Sequence, residues 1–344
     1  MRVLFLADVD LSLPGGVETH VHELAAELGA RGHAVEVLGR PRPCPPLAMV
    51  ERADPLRYDV VHYQGGPWPP GLDPGPRHVR TLHFCVAAQM AVYVRMGRLR
   101  TLANPWHWRS LVQERRGCRR PGLMIAVSER VRRDFERWHG LDPAVARVIP
   151  NGVSFLPPRE GRSALRARYG ISDDARVLLT IGRDDFVKGT GLLARAWGHS
   201  GATRRGAVWV TVGGAGPARA PGRVVTGPAP HQEVLDWIHA ADLGALPSYY
   251  EGCGIALLEM LAGGLFALAH DVGIASEVIR AESTGRILPR SVPAWAEAIA
   301  GALDRPPAAR APALGPEFGW PAIAARVEQV YREVIEGAPP FHAA

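Results

Sequence analysis

The chain of 344 residues has almost no lysine, few cysteines and no long hydrophobic run. Its four cysteines form no C-x-x-C pair and no Cys/His cluster with zinc-ligand spacing, which argues against a structural metal and against a disulfide framework. The apolar run at the N-terminus spans only five residues before Asp8, too short for a signal peptide or a membrane span. We therefore expect a protein of the reducing cytoplasm.

Lysine is the rarest of the charged residues. Lys188 is the single lysine among 40 lysine and arginine residues. Abundant Arg, Ala, Gly and Pro are typical of a GC-rich coding bias, which affects the surface but indicates no chemistry. A residue that escapes this bias is a candidate for a specific role.

The length and a hydrophobic content of 47% predict two domains. The first unit consists of a strand, a glycine loop and a helix. It comprises an apolar strand at 2–7, a loop with Gly15 and Gly16, and an amphipathic helical pattern that stops at Gly32. Further apolar runs predict strands at 34–38, 59–63, 79–83 and 123–127, and, after a Pro/Gly-rich connector, at 176–182, 207–213, 222–227, 243–247 and 265–269.

Such alternation predicts two α/β domains with doubly wound parallel sheets. We place the first domain at 1–154, the second at 155–319, and a C-terminal helix within 320–344 that returns to pack on the first domain. Ligands of open α/β sheets bind at the carboxyl ends of the strands, so we expect a ligand cleft there.

The segment "IGRDDFVKGTG" leaves a predicted strand at Gly182 and enters a helix after Lys188. Arg183 and Lys188 would then lie at a strand's carboxyl edge beside a helix N-terminus, where a diphosphate meets a guanidinium, an ammonium and backbone N–H groups. The alternative is that Lys188 is an ordinary solvated cation.

A second constellation, "YYEGCGIALLEMLAGG", contains two carboxylates eight positions apart, Glu251 before a helix and Glu259 within it. The flanking glycines allow close backbone approach, and the first N–H groups, near Gly254, Ile255 and Ala256, offer a phosphate contact. Because Glu259 lies in a nearly all-apolar helix, it needs a partner if it is buried. The alternative places Glu251 in a cap region and Glu259 on a surface face.

Together with "GGVETHVHELAAELGARGH", "PNGV" and "AADLGALPS", these motifs resemble the retaining nucleotide-sugar glycosyltransferases of family 4, over nearly the whole chain. The resemblance implies a GT-B fold of two Rossmann-like domains facing a cleft. It also implies a sugar transfer from a nucleoside diphosphate sugar, with UDP favoured and GDP possible. The implied reaction needs no metal or other cofactor.

The same resemblance implies roles for individual residues. Arg183 and Lys188 would hold the donor diphosphate and stabilise the leaving phosphate, Glu251 would contact sugar hydroxyls, and Glu259 the ribose. Gly15 and Gly16 would let backbone N–H groups approach the diphosphate, alongside Gly254, Ile255 and Ala256. His83, which ends a predicted strand, would lie beside the reacting carbon, although a lone histidine at a strand end is a weak signal.

The acceptor is less well indicated. Glu18 and Gln64 are candidate acceptor contacts, and the acceptor is expected to be a hydroxyl on a lipid-linked or cell-envelope glycan or on a small molecule. Between residues 95 and 120 lie eight arginines, Trp106 and Trp108, with Glu114 as the sole acid. This segment suits peripheral contact with an anionic inner-membrane surface, or it is simply a solvated helix face in an arginine-rich chain.

Other functions fit the sequence less well. "ADVD" imitates a D-x-D metal site but runs into a Gly-Gly helix start, and neither glycine loop forms the G-x-G-x-x-G of a dehydrogenase. A non-catalytic nucleotide-sugar-binding partner subunit is an alternative, although the expected cations and acids are all present. Nucleic-acid binding is favoured only by the basic segment.

Overall fold

The computed structural model describes residues 1–13, 15–40, 44–65, 77–119, 122–183, 185–214, 220–280, 282–305 and 312–337. The chain divides into two compact units, unit 1 from Met1 to Gly152 with the residues from Phe318 onward, and unit 2 from Val153 to Glu317. The predicted domain limits, after residues 154 and 319, fall two residues beyond these divisions.

Each unit contains one parallel sheet of six strands. The strands of unit 1 are β1 Arg2–Asp10, β2 Ala34–Arg40, β3 Val60–Tyr63, β4 His78–Leu82, β5 Leu123–Ala126 and β6 Ala146–Val148. Those of unit 2 are β7 Val177–Ile181, β8 Val208–Val212, β9 Arg223–Gly227, β10 Leu243–Leu246, β11 Ala267–Ala269 and β12 Gly285–Ile287.

Helices connect the strands. Unit 1 contains α1 Gly16–Ala30, α2 Val86–Arg95, α3 Pro105–Gly117, α4 Glu129–His139 and α11 Trp320–Gly337. Unit 2 contains α5 Arg162–Arg168, α6 Thr190–Ser200, α7 His231–Ala240, α8 Ile255–Ala262, α9 Ala275–Val278 and α10 Val292–Asp304. None of the helices described has the length and apolarity needed to cross a bilayer.

The strand orders show that both sheets are doubly wound. They run β2-β1-β3-β4-β5-β6 in unit 1 and β12-β11-β10-β7-β8-β9 in unit 2. In each sheet successive strands are first added on one side of the starting strand and then on the other. Every apolar run predicted as a strand overlaps an observed one. The edge strands β6 and β12 were not predicted, because each has only three residues and no apolar pattern. The predicted fold of two Rossmann-like units is confirmed.

The C-terminal helix α11 completes the core of unit 1. Its buried Trp320, Ile323 and Tyr331 join the cluster that contains Val3 and Phe5 of the central strand β1. The backbone of Gly152 lies directly against the Trp320 ring, where a Cβ atom would clash. The predicted return of the last helix to the first domain is therefore observed, and it depends on apolar burial by α11.

Candidate active site

The candidate donor site in unit 2 begins where β7 and β8 end. Gly182 follows β7 with a φ of 121°, and Gly213 follows β8 with a φ of 130°. A Cβ on Gly213 would clash with the carbonyl oxygen of Gly182, so both turns require glycine. A pocket opens at this strand edge, and its lining includes Gly182, Arg183, Lys188 and Ser248.

Gly189 explains why the lysine is followed by glycine. It has a φ of 69° and caps the N-terminus of α6. A Cβ there would collide with the carbonyl oxygen of Pro247. The close packing of these two backbone segments places Lys188 beside the loop that follows β10.

Lys188 contacts Glu251 across this junction. Its Nζ donates to Oε1 of Glu251 at 2.8 Å, and the Ser248 hydroxyl donates to the same oxygen at 2.6 Å. The Lys188 side chain is 27% exposed and that of Glu251 is 11% exposed. The lysine is thus a partly buried cation with a matched carboxylate and an open side toward the pocket, rather than a solvated surface lysine.

A chain of hydrogen bonds also holds the loop that follows β10. The Trp295 indole N–H donates to Nε2 of His270 at 3.0 Å, and Nδ1 of His270 donates to the Ser248 carbonyl at 3.0 Å. Because the indole can only donate, these bonds select the neutral tautomer with its proton on Nδ1. Burial lowers the pKa of His270 to about 4, which keeps the ring neutral near neutral pH.

Arg183 lines the same pocket but extends into solvent. Its side chain is 82% exposed, and its Nε lies 3.8 Å from a carboxylate oxygen of Asp185. The structure therefore brings Arg183 and Lys188 to one pocket, with Arg183 loosely held and Glu251 bonded to Lys188.

Helix α8 supplies the second part of the candidate donor site. Gly254 caps its N-terminus with a φ of 94°, in the left-handed region that favours glycine. The N–H groups of Ile255 and Ala256 open the helix and precede its first i to i−4 bonds, so they are directed along the axis away from the helix. This arrangement suits an anion.

Glu259 lies inside α8 and is buried, with a side chain that is 7% exposed. Its Oε1 accepts from Nε2 of His231, the first residue of α7, at 2.6 Å. The partner required for a buried acid is thus a histidine 28 positions earlier in the chain. The sequence pattern did not indicate His231.

His83 lies in a separate pocket in unit 1, at the carboxyl ends of β3 and β4. Phe84, Arg80, Trp106 and Gln113 share this pocket. The Phe84 and Trp106 rings stack with centroids 6.4 Å apart. Nε2 of His83 is buried and has no hydrogen-bond partner among the described residues.

Burial keeps His83 neutral, and two other buried histidines contribute. The His20 ring meets it edge-on at 4.8 Å, and His62 lies deeper, between Tyr331 and Thr81. Burial, with a smaller electrostatic contribution from His20 and His62, holds the pKa of His83 well below its usual value. A neutral imidazole here can accept or donate one hydrogen bond but carries no charge.

The remaining predicted residues of unit 1 have local roles in the structure. Gly15 caps α1, and the Glu18 carboxylate folds back over it so closely that a Cβ on Gly15 would clash. Gly16 is the first residue of α1. Gln64 is completely buried, and its amide donates to Nδ1 of His62 at 3.2 Å. The structure therefore places neither Glu18 nor Gln64 in the pocket beside His83.

Tertiary folding also assembles a group that the cysteine spacing did not predict. The side-chain ligand atoms of Cys85, Glu114 and His139 lie within 4.8 Å of one another, and all three residues are buried. Both Glu114 oxygens already accept hydrogen bonds, from the Val86 N–H at 2.8 Å and from His139 Nε2 at 2.9 Å. In this structure the glutamate serves to cap α2 and to join it to α3 and α4.

Two family models match the chain. Residues 175–305 match the model described as glycosyl transferases group 1, and residues 39–155 match the model described as glycosyltransferase family 4. The chain belongs to glycosyltransferase family 4. The family resemblance predicted from the motifs is thereby confirmed, and the enzyme is a glycosyltransferase.

The similarity to known proteins covers nearly the whole length of this glycosyltransferase. D-inositol 3-phosphate glycosyltransferase of Kineococcus radiotolerans is 28% identical over 94% of this chain and 91% of its own. Sucrose-phosphate synthase of Thermosynechococcus elongatus has a TM-score of 0.76 at 20% identity, covering 98% of this chain and 100% of its own.

HepE of Anabaena, crystallised with UDP-glucose, has a TM-score of 0.64 at 16% identity, covering 98% of each chain. The two solved structures confirm the predicted GT-B fold.

Proposed function

We propose that this glycosyltransferase moves a sugar from a nucleoside diphosphate sugar, a UDP-sugar before a GDP-sugar, to a hydroxyl acceptor. The observation that carries the proposal is the contact of Lys188 with Glu251, 2.8 Å long, at the mouth of a pocket where β7 ends. The crystal complex of the similarly folded HepE with UDP-glucose supports a uridine nucleotide as donor.

In this proposal Lys188 stabilises the leaving group. Its ammonium has three N–H donors, of which the Glu251 bond uses one. Negative charge on the diphosphate grows as the bond from the anomeric carbon to phosphate breaks, and a preorganised cation lowers the barrier most when it meets that growing charge. The Glu251 and Ser248 bonds hold the amine in place before the donor arrives.

The other donor contacts follow from the local geometry. Arg183, being exposed, is free to swing onto the diphosphate, and the first N–H groups of α8 supply uncharged contacts. Glu259, oriented by its bond with His231, accepts hydrogen bonds from the ribose hydroxyls. Gly15 and Gly16 open α1 of unit 1 and provide a further backbone approach.

We further propose that the reaction retains the anomeric configuration and uses no metal. The acceptor hydroxyl attacks from the face that the phosphate leaves, and the departing phosphate oxygen takes the hydroxyl proton. The neutral His83 offers a hydrogen bond near the reacting carbon without adding charge to it. Lys188 and Arg183 supply the positive charge that a divalent cation would provide elsewhere.

The pocket beside His83 is our candidate for the acceptor. Its stacked Phe84 and Trp106 form an aromatic surface for the apolar face of a ring, and Gln113 adds hydrogen-bonding groups. The relative from Kineococcus is named for an inositol phosphate, a polyhydroxylated ring. We therefore propose a ring-shaped polyol or glycan acceptor, soluble or lipid-linked.

A thermal-shift panel tests the donor. A ligand that binds the folded state alone raises the unfolding midpoint, so the correct nucleoside diphosphate and its sugars should shift it and the others should not. The positive donor is then assayed with and without EDTA, and the anomeric configuration of the product is read by NMR. Inversion, or loss of activity with EDTA that is restored by a divalent cation, would refute the corresponding part of the proposal.

A matched tryptophan pair tests the acceptor pocket. Trp106→Ala should raise the acceptor KM about tenfold and leave the donor KM unchanged, because it removes one stacking contact. Trp138→Ala, which removes a similarly exposed ring from α4 outside the pocket, is the control. Equal effects of the two substitutions would exclude the pocket as the acceptor site.

A further inference from the structure

One surface of unit 1 is made of arginine and apolar side chains together. Residues 94–100, "VRMGRLR", are all exposed, and so are one side of the neighbouring helix α3 and Arg119, which follows the helix. We call these residues the arginine–apolar face. They are Val94, Arg95, Met96, Arg98, Leu99, Arg100, Trp108, Arg109, Val112, Arg115, Arg116 and Arg119.

The helical period separates this face from the acceptor pocket. One side of α3 carries Trp108, Val112, Arg115 and Arg116, because Val112 lies four positions after Trp108 and the two arginines lie three and four positions after Val112. Trp106 lies on another side and lines the pocket. The sole acid of this stretch, Glu114, is buried, with its carboxylate occupied by a backbone N–H and by His139. The face therefore presents positive charge without an exposed carboxylate of its own.

Exposed apolar side chains concentrate on the same face. Five of the thirteen large hydrophobic side chains exposed in the described part of the chain belong to it, including Leu99 at 61% and Trp108 at 53%. The Trp108 indole N–H donates to the Leu102 carbonyl at 2.8 Å. Because that donor is satisfied within the protein, its ring can enter an apolar layer without leaving a polar group unpaired.

We infer that the arginine–apolar face docks on an anionic lipid bilayer. Its arginines are opposite in charge to the headgroups, and its apolar side chains suit the boundary of the acyl layer. Arginines interleaved with Leu, Met, Val and Trp suit the interface, since guanidinium groups reach phosphates while the apolar groups enter below them. A nucleic acid would match the arginines alone and leave the five apolar side chains in water. The inference does not depend on the proposed donor or acceptor.

Vesicle flotation with the full chain tests the charge requirement. The protein should float with phosphatidylglycerol-containing vesicles, only weakly with pure phosphatidylcholine, and less as salt increases. Arg115→Ser/Arg116→Ser should lower the partition coefficient about thirtyfold. Arg52→Ser/Arg195→Ser, which removes two exposed arginines elsewhere and changes the net charge equally, should bind as the parent does.

A second pair tests the apolar requirement. Leu99→Ser/Trp108→Ser should reduce binding about tenfold or more, whereas Leu56→Ser/Phe155→Ser, at comparably exposed positions outside the face, should not. Thermal unfolding confirms that each variant folds, and Leu99→Ser alone serves if Trp108→Ser lowers the midpoint. Equal binding by face and control variants, no binding to anionic vesicles, or face-dependent binding to a DNA duplex without vesicle binding would overturn the inference.

Discussion

Replacing Lys188 by methionine separates its catalytic from its structural contribution. The substitution keeps most of the side-chain volume and removes the ammonium. It leaves Glu251, only 11% exposed, with the Ser248 hydroxyl and without its cation. Removing one partner of a fully buried pair costs about 3–5 kcal/mol. Since Lys188 is 27% exposed and water can reach the carboxylate from that side, we expect a smaller loss of unfolding free energy, about 1–2 kcal/mol.

The effect on the reaction should be larger. If the ammonium meets charge that develops only in the transition state, its loss should lower kcat by about 10²- to 10³-fold with a smaller change in the donor KM. The assay is steady-state transfer at saturating donor, with chemical denaturation of each variant measured in parallel.

The double variant Lys188→Met/Glu251→Gln, compared with Glu251→Gln alone, distinguishes the two contributions. Its neutral amide no longer needs a cation, so stability should recover toward that of the parent, while kcat should stay well below that of Glu251→Gln. Recovery of kcat together with stability would show that Lys188 acts only by neutralising Glu251. Full kcat in Lys188→Met itself would refute the proposed mechanism.

Three other substitutions have defined outcomes. Gly189→Ala should lower the unfolding free energy by about 2 kcal/mol or more, because its φ is positive and a Cβ meets a backbone carbonyl, whereas Gly191→Ala, with open space around its Cβ, should not destabilise; similar denaturation midpoints would contradict the packing. Burial lowers the pKa of His270 from near 6.5 in the unfolded chain to about 4 in the folded one, so its contribution to the unfolding free energy is complete above pH 6.5 and is lost as the pH falls toward 4. His270→Asn should remove up to about 3 kcal/mol of this acid destabilisation. A denaturation midpoint of the parent that stays unchanged between those pH values would argue against it. Glu259→Gln should raise the donor KM about tenfold with little change in kcat, and a donor with a deoxyribose should show no such difference between variant and parent; an equal loss with both donors would exclude the ribose contact.

The sequence predicted the fold well because alternating strands and helices leave a periodic signal. Long apolar runs such as 176–182 identified central strands, and the three- and four-residue spacing identified α1. The edge strands β6 and β12 were missed because three residues carry no period, and their strand geometry depends on pairing with β5 and β11.

Contacts between distant positions were not predictable. The sequence indicated that Glu259 needs a partner, but only folding shows that it is His231, on another helix. The bond from His270 to the Ser248 carbonyl likewise joins the ends of two strands, β11 and β10. Glu18 and Gln64 were candidates because of their place in the chain. In the structure the Glu18 carboxylate lies over Gly15 at the start of α1, and Gln64 makes a buried hydrogen bond.

The residue types on which the proposed diphosphate site depends were evident from the sequence alone. The single lysine, Lys188, indicated the strand edge of the proposed site, and glycines indicated the turns with positive φ beside it. The tertiary structure decided which side chains meet, how deeply each is buried and which face of α3 remains exposed. Local patterns record the conformation of neighbouring residues, whereas partners, burial and electrostatics depend on segments that only the folded chain brings together.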